Sequence, residues 1–144
     1  MIDDLQNQPR ATPRIYASVT LWGDVDHAVV TEAMGVAPHH SAYKGEVKRL
    51  GAPPVKQTYW AWRTEEQHSY DGGAILSVAL EWLEQRRTSV GTLQADNDMT
   101  VIVSLVGYLE PHHSVPAVYL DSAVLRRFAE LGVGLEFDFT LLTD

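Results

Sequence analysis

One pattern occurs twice in this chain and restricts its fold more than any other feature. A strand is followed by a short helix that ends in Met34-Gly-Val or Leu131-Gly-Val, and then by another strand. In the first copy, Ile15, Ala17, Val19 and Leu21 alternate with Tyr16, Ser18, Thr20 and Trp22, the period-two signature of a half-buried strand. Asp24 or Asp26 is placed to cap a helix running to Met34, and Gly35 to stop it. In the second copy, Met99 to Tyr108 is almost wholly apolar or small. Asp121 then caps a helix with Val124, Leu125, Phe128 and Leu131 inward. Leu135, Phe137, Phe139 and Leu141 face one side of a last strand, and Glu136, Asp138 and Thr140 the other.

Between the copies, Thr58 to Trp62 reads as an aromatic strand with Trp60 and Trp62 on one face, and Ala74 to Arg87 as a helix. Pro38 to Gly45 reads as loop, and Thr88 to Asp98 as a polar connection. Two βαβ halves with split strands predict an α+β fold, a ferredoxin-like sandwich with helices on one side of a mostly antiparallel sheet. The extra helix between the halves is expected to cover part of the other sheet face, which would account for the apolar Met99–Tyr108 stretch. Residues 1–13, broken by Pro9 and Pro13, are expected to form a flexible arm, and residues 14–144 a single domain.

Charge and composition narrow the partners. Eleven Lys and Arg stand against nineteen Asp and Glu, a formal charge of −8 that opposes nucleic acid and anionic lipid. The absence of cysteine excludes a thiol nucleophile, a disulfide framework and thiolate metal sites. No apolar run approaches a membrane span, and the acidic start MIDDLQNQPR has no signal-peptide core, so a cytoplasmic location is expected.

Four short segments carry a family resemblance: Leu21-Trp-Gly-Asp24, Met34-Gly-Val-Ala-Pro38, Lys44-Gly-Glu46 and Leu131-Gly-Val-Gly-Leu-Glu-Phe-Asp138. With the tryptophan strand and the helix from Ala74, they make the chain similar to a bacterial family, domain of unknown function 4279. The sequence departs from that family's usual pattern at Tyr43, which precedes Lys44, and at His39-His40, where small or polar residues are commoner. The resemblance implies the fold and brings no reaction with it.

Three constellations bear on chemistry. Pro38-His-His-Ser41 recurs as Pro111-His-His-Ser114. If both loops lie at one end of the sheet, His39 and His40 approach His112 and His113 and offer imidazoles to zinc or nickel, with Glu110 or Glu46 adding an oxygen. The plainer alternative is a set of exposed loop residues. Glu136 and Asp138 are paired carboxylates of the kind used in acid–base work, but alternation on any half-solvated strand produces the same spacing. Pairing of Asp138 with Arg14, Lys44 or Arg63 is the structural alternative. The aromatic residues Trp22, Tyr59, Trp60 and Trp62 suit core packing or a protein contact.

No serine-nucleophile elbow, phosphate loop or dinucleotide fingerprint is present. The sequence therefore points to a non-catalytic protein-binding module, regulatory or immunity-like, whose partner sits on the Gly35 to Arg63 segment. The expected binding residues are Trp22, Tyr43, Lys44, Glu46, Trp60, Trp62 and Asp138. Small-ligand sensing is the alternative function, a metal-dependent enzyme ranks below it, and a homodimer is compatible with an open sheet.

Overall fold

The structure, a computed structural model, describes residues 12–143. Strand β1 (Arg14–Trp22) leads to helix α1 (His27–Met34), then to β2 (His40–Ala42), β3 (Tyr59–Arg63) and β4 (Gln67–His68). Helices α2 (Gly72–Glu84) and α3 (Arg87–Asp96) come next. β5 (Thr100–Leu109), α4 (Ser122–Glu130) and β6 (Gly134–Leu141) complete the order. Each of α1, α2 and α4 begins at an aspartate whose Oδ1 accepts a backbone N–H: Asp26 from Ala28 at 2.9 Å, Asp71 from Ala74 at 3.0 Å and Asp121 from Val124 at 2.8 Å. Gly35, at φ 75°, closes α1 in the left-handed conformation that a side chain would strain.

The result is an α+β fold with a six-stranded mixed sheet, ordered β2-β3-β1-β5-β6, in which β4 pairs with β1 beyond the end of β3. β1 pairs antiparallel with β3 and β5, β2 antiparallel with β3, and β6 parallel with β5. The first half is a split unit. β2, which the sequence placed in a loop, runs parallel to β1 with β3 between them. The second half departs from that expectation, because β5 and β6 are adjacent and parallel around α4.

The core lies on one face of the sheet. Ile15, Ala17, Val19 and Leu21 of β1 and Val101, Val103 and Leu105 of β5 pack with residues from all four helices, including Val30, Leu76, Leu80, Leu93 and Phe128. α2 carries most of this layer, with Ile75, Leu76, Ala79, Leu80 and Leu83 buried. It approaches its neighbours closely enough that a Cβ on Gly73 would lie 2.7 Å from the Tyr119 carbonyl oxygen.

Two expectations are corrected here. Residues 87–96 form α3, not a polar connection; Val90 and Leu93, one turn apart, are buried although the segment is polar overall. The extra helices also join the same layer as α1 and α4, so they leave the other sheet face uncovered among the described residues. Ile102, Ser104, Val106 and Tyr108 on that face are accordingly half-buried, in alternation with the buried core residues of β5.

Of the expected arm, residues 1–11 lie outside the described residues. Pro13 is buried, and its carbonyl accepts from the Ser69 N–H at 3.0 Å. Among the described residues, no helix is long and apolar enough to cross a membrane.

Candidate binding surface

The Gly35 to Arg63 segment is held against the end of β1 by a polar network. Buried Thr58 accepts the Lys44 N–H at 2.9 Å and donates its hydroxyl to Asp24 at 3.2 Å. The Gly-Asp and Lys-Gly-Glu steps, 20 residues apart in sequence, thus meet at one threonine. Tyr43 stacks on His27 with ring centroids 3.8 Å apart, accepts the His27 N–H at 3.1 Å and donates to Asp26 at 3.4 Å. Glu46 accepts the Tyr43 N–H at 3.3 Å, across the turn that Gly45 makes at φ 87°. Tyr43 and Glu46 therefore shape the loop. Lys44 lines an open polar cleft of about 530 Å³ with Asp24, Lys56, Gln57, Asn97 and Asp98.

Two of the expected binding aromatics face the helix layer instead. Trp60 is fully buried, and its indole N–H donates to the Thr31 hydroxyl at 3.0 Å. Trp62 stacks on Trp82 of α2. Both share the core face of β3, because Trp60 is in register with Leu21 and Trp62 with Val19.

The histidine pairs do not converge. His40 lies in the cross-sheet row of Ala61, Thr20 and Ile102. His112 and His113 follow Leu109, about 23 Å further along β5 at 3.3 Å per residue. β2 begins only at the row of Thr20 and runs from there away from the Leu109 end, alongside the last residues of β1, so His39 and His40 lie far from the other pair. Glu110, His112 and His113 do cluster, with ligand atoms within 4.8 Å of one another. However, the Glu110 N–H donates to Nδ1 of His113 at 3.0 Å, which makes Nε2 the protonated nitrogen of the neutral ring. That bond engages the Nδ1 lone pair, whereas metal-bound histidines commonly donate from their second nitrogen.

The uncovered sheet face is patterned by charge. Toward β3, the Arg63 guanidinium lies 4.7 Å from the Tyr16 ring, and Arg14 lies 5.0 Å from the Tyr108 ring. Burial, and then the neighbouring Tyr108, push the Tyr16 phenol up to about 12. At the other margin, Glu136 and Asp138 stand exposed on β6. Arg63 and Glu136 end the same row, through Ser18 and Ser104, three strand spacings or about 14 Å apart. Asp138 pairs with none of Arg14, Lys44 and Arg63, and neither acid is in an ion pair among the described residues. Trp22 shares this face, tilted against Tyr59 with centroids 5.2 Å apart. A cleft of about 260 Å³ runs from it across Thr100 and Ile102 to Glu136.

The place of β6 at the sheet margin is the feature that residue patterns missed. It ends the sheet, so its outer backbone edge has no strand beside it among the described residues. Phe137 and Leu141, in register with buried Leu105 and Leu109, point to the core side yet are 51% and 72% exposed. Alternation places them on one side of the strand, and the position of β6 at the margin leaves them exposed.

The chain belongs to the family described as Domain of unknown function (DUF4279), whose model matches residues 13–142. No curated protein and no solved structure matches it.

Proposed function

We propose that this protein is a non-catalytic module that binds a protein partner along β6. The observation that carries this reading is an eight-residue margin strand with an open backbone edge and two large apolar side chains exposed beside it. Such an edge is a template for a further strand, and exposed Phe and Leu supply apolar area for a partner to cover. Leu125, on the helix joining β5 to β6, is also exposed. An acidic module of this kind suits a regulatory or immunity-like role in the bacterial cytoplasm, where its field steers a basic partner. The first half of the sheet, with its split βαβ unit, is the part that supports a ferredoxin-like relationship.

A photo-crosslinking residue placed at Phe137 or Leu141, compared with one at fully exposed Leu50, tests the placement in cells. A protein captured at β6 and not at Leu50 supports it. Capture at Leu50 alone moves the contact to the Gly35 to Arg63 segment, and capture at neither position overturns the reading. Small-ligand sensing is a second reading, favoured by the cleft of Asp24, Lys44, Lys56 and Asp98, whose two signs of charge suit a zwitterion. Thermal stabilisation by free amino acids that is lost in Lys44→Ala would support it.

A further inference from the structure

Resting on that reading, the geometry points to the chemistry of the partner segment: an extended strand, basic on one face and apolar on the other. Side chains of an added strand alternate between the two sheet faces, as those of β6 do. On the open face they would meet Glu136 and Asp138, two exposed acids without an ion-pair partner among the described residues. On the core side they would meet Phe137 and Leu141. Opposite charges directly across a strand pair stabilise it, and like charges oppose it.

The same rule argues against a second copy of this chain as the occupant. Antiparallel pairing of two β6 strands about Phe137 would set Glu136 against Asp138 of the copy on both sides of the axis, acid against acid.

The test uses the whole chain and three synthetic peptides matched to β6 in length. The first alternates lysine with valine, the second alternates glutamate with valine, and the third has the composition of the first with all its lysines at one end. The alternating basic peptide is expected to bind about tenfold tighter than either of the others at low salt. It should slow amide exchange in β6 and not in β2, the opposite margin. The double variant Glu136→Lys, Asp138→Lys, with an unchanged melting temperature as the check on folding, should reverse the preference between the basic and acidic peptides. Equal binding of all three peptides, or protection away from β6, overturns the inference. Crosslinking at Phe137 in cells without charge selection by the peptides would leave the binding reading standing and remove only this one. Absence of any β6 crosslink removes both.

Discussion

The indole of Trp62 lies flat on that of Trp82, with ring centroids 4.0 Å apart and planes 7° from parallel. The Arg86 guanidinium sits 4.3 Å from the Trp82 ring, and its Nε–H donates to the Met34 carbonyl at 2.9 Å. This stack joins β3, α2 and the end of α1, on the side of the sheet away from β6. Trp82→Ala should therefore cost about 1–3 kcal/mol in urea unfolding, less than a fully buried tryptophan, because both rings are only half-buried. Crosslinking at Phe137 should be unchanged in that variant; its loss would show that the two regions are coupled.

The Glu84 carboxylate accepts from Nε of Arg127 at 3.0 Å and also from its NH2 group, pinning α2 to α4. The hydrogen bond from Arg127, helped by the charges of Arg127 and Arg87, holds the Glu84 pKa below its ordinary value. Since the folded pKa is depressed, the contribution to stability is present above the unfolded carboxylate pKa and is lost as pH falls through the folded one. Glu84→Gln should lower the melting temperature most at neutral pH, and the gap from the parent should close as pH drops below about 4. A gap that stays constant across that range would remove this account.

Tyr16 should titrate near 12 when phenolate absorbance is followed, above the ordinary phenol value of about 10. A raised folded pKa means that its contribution is fully present below the unfolded value, about 10, and is lost as pH rises toward the folded one. Tyr108→Phe should bring the Tyr16 transition down by removing the neighbouring phenol's hydrogen bond and charge, with burial left in place. An unmoved transition would assign the whole shift to burial.

Gly72 and Gly73 open α2 and should respond differently to alanine. A Cβ on Gly72 would meet a Leu105 methyl at 2.6 Å, a Val118 methyl at 3.0 Å and the Ala117 carbonyl oxygen at 3.1 Å, the closest of them a side-chain end, whereas the closest contact of one on Gly73 is a backbone carbonyl oxygen at 2.7 Å. Gly73→Ala should cost about 1–3 kcal/mol, and Gly72→Ala less. Thermal unfolding of the two variants side by side checks the order, and the reverse order would mean that the Tyr119 loop yields more readily than the core.

Much of the framework was legible from local signals. Asp121 caps its helix as expected, Asp26 is the one of two candidate aspartates that caps α1, and β1 buries the four residues that its alternation selected. Helix α3 was hidden because only two of its ten residues are buried, and two apolar residues one turn apart do not make a periodicity. β2 was hidden because three residues between a proline turn and a glycine carry no strand pattern. Met99–Tyr108 looked covered on both faces because Ile102 and Val106 are as apolar as Val101 and Val103. Their burial differs because every helix packs on one side.

The sequence by itself determined the α+β class, the helix caps, the core face of each main strand and the acidic character of the chain. These depend on residue type and spacing within a dozen positions. The tertiary structure alone decided that the histidine pairs stay apart, that Trp60 and Trp62 serve the core, and that β6 forms the margin of the sheet. Those outcomes depend on strand order, and a pattern of alternation is the same whether a strand has one neighbour or two. Phe137 and Leu141 share one side of the last strand in the sequence, and they stand exposed in the fold because no strand pairs beyond β6 among the described residues.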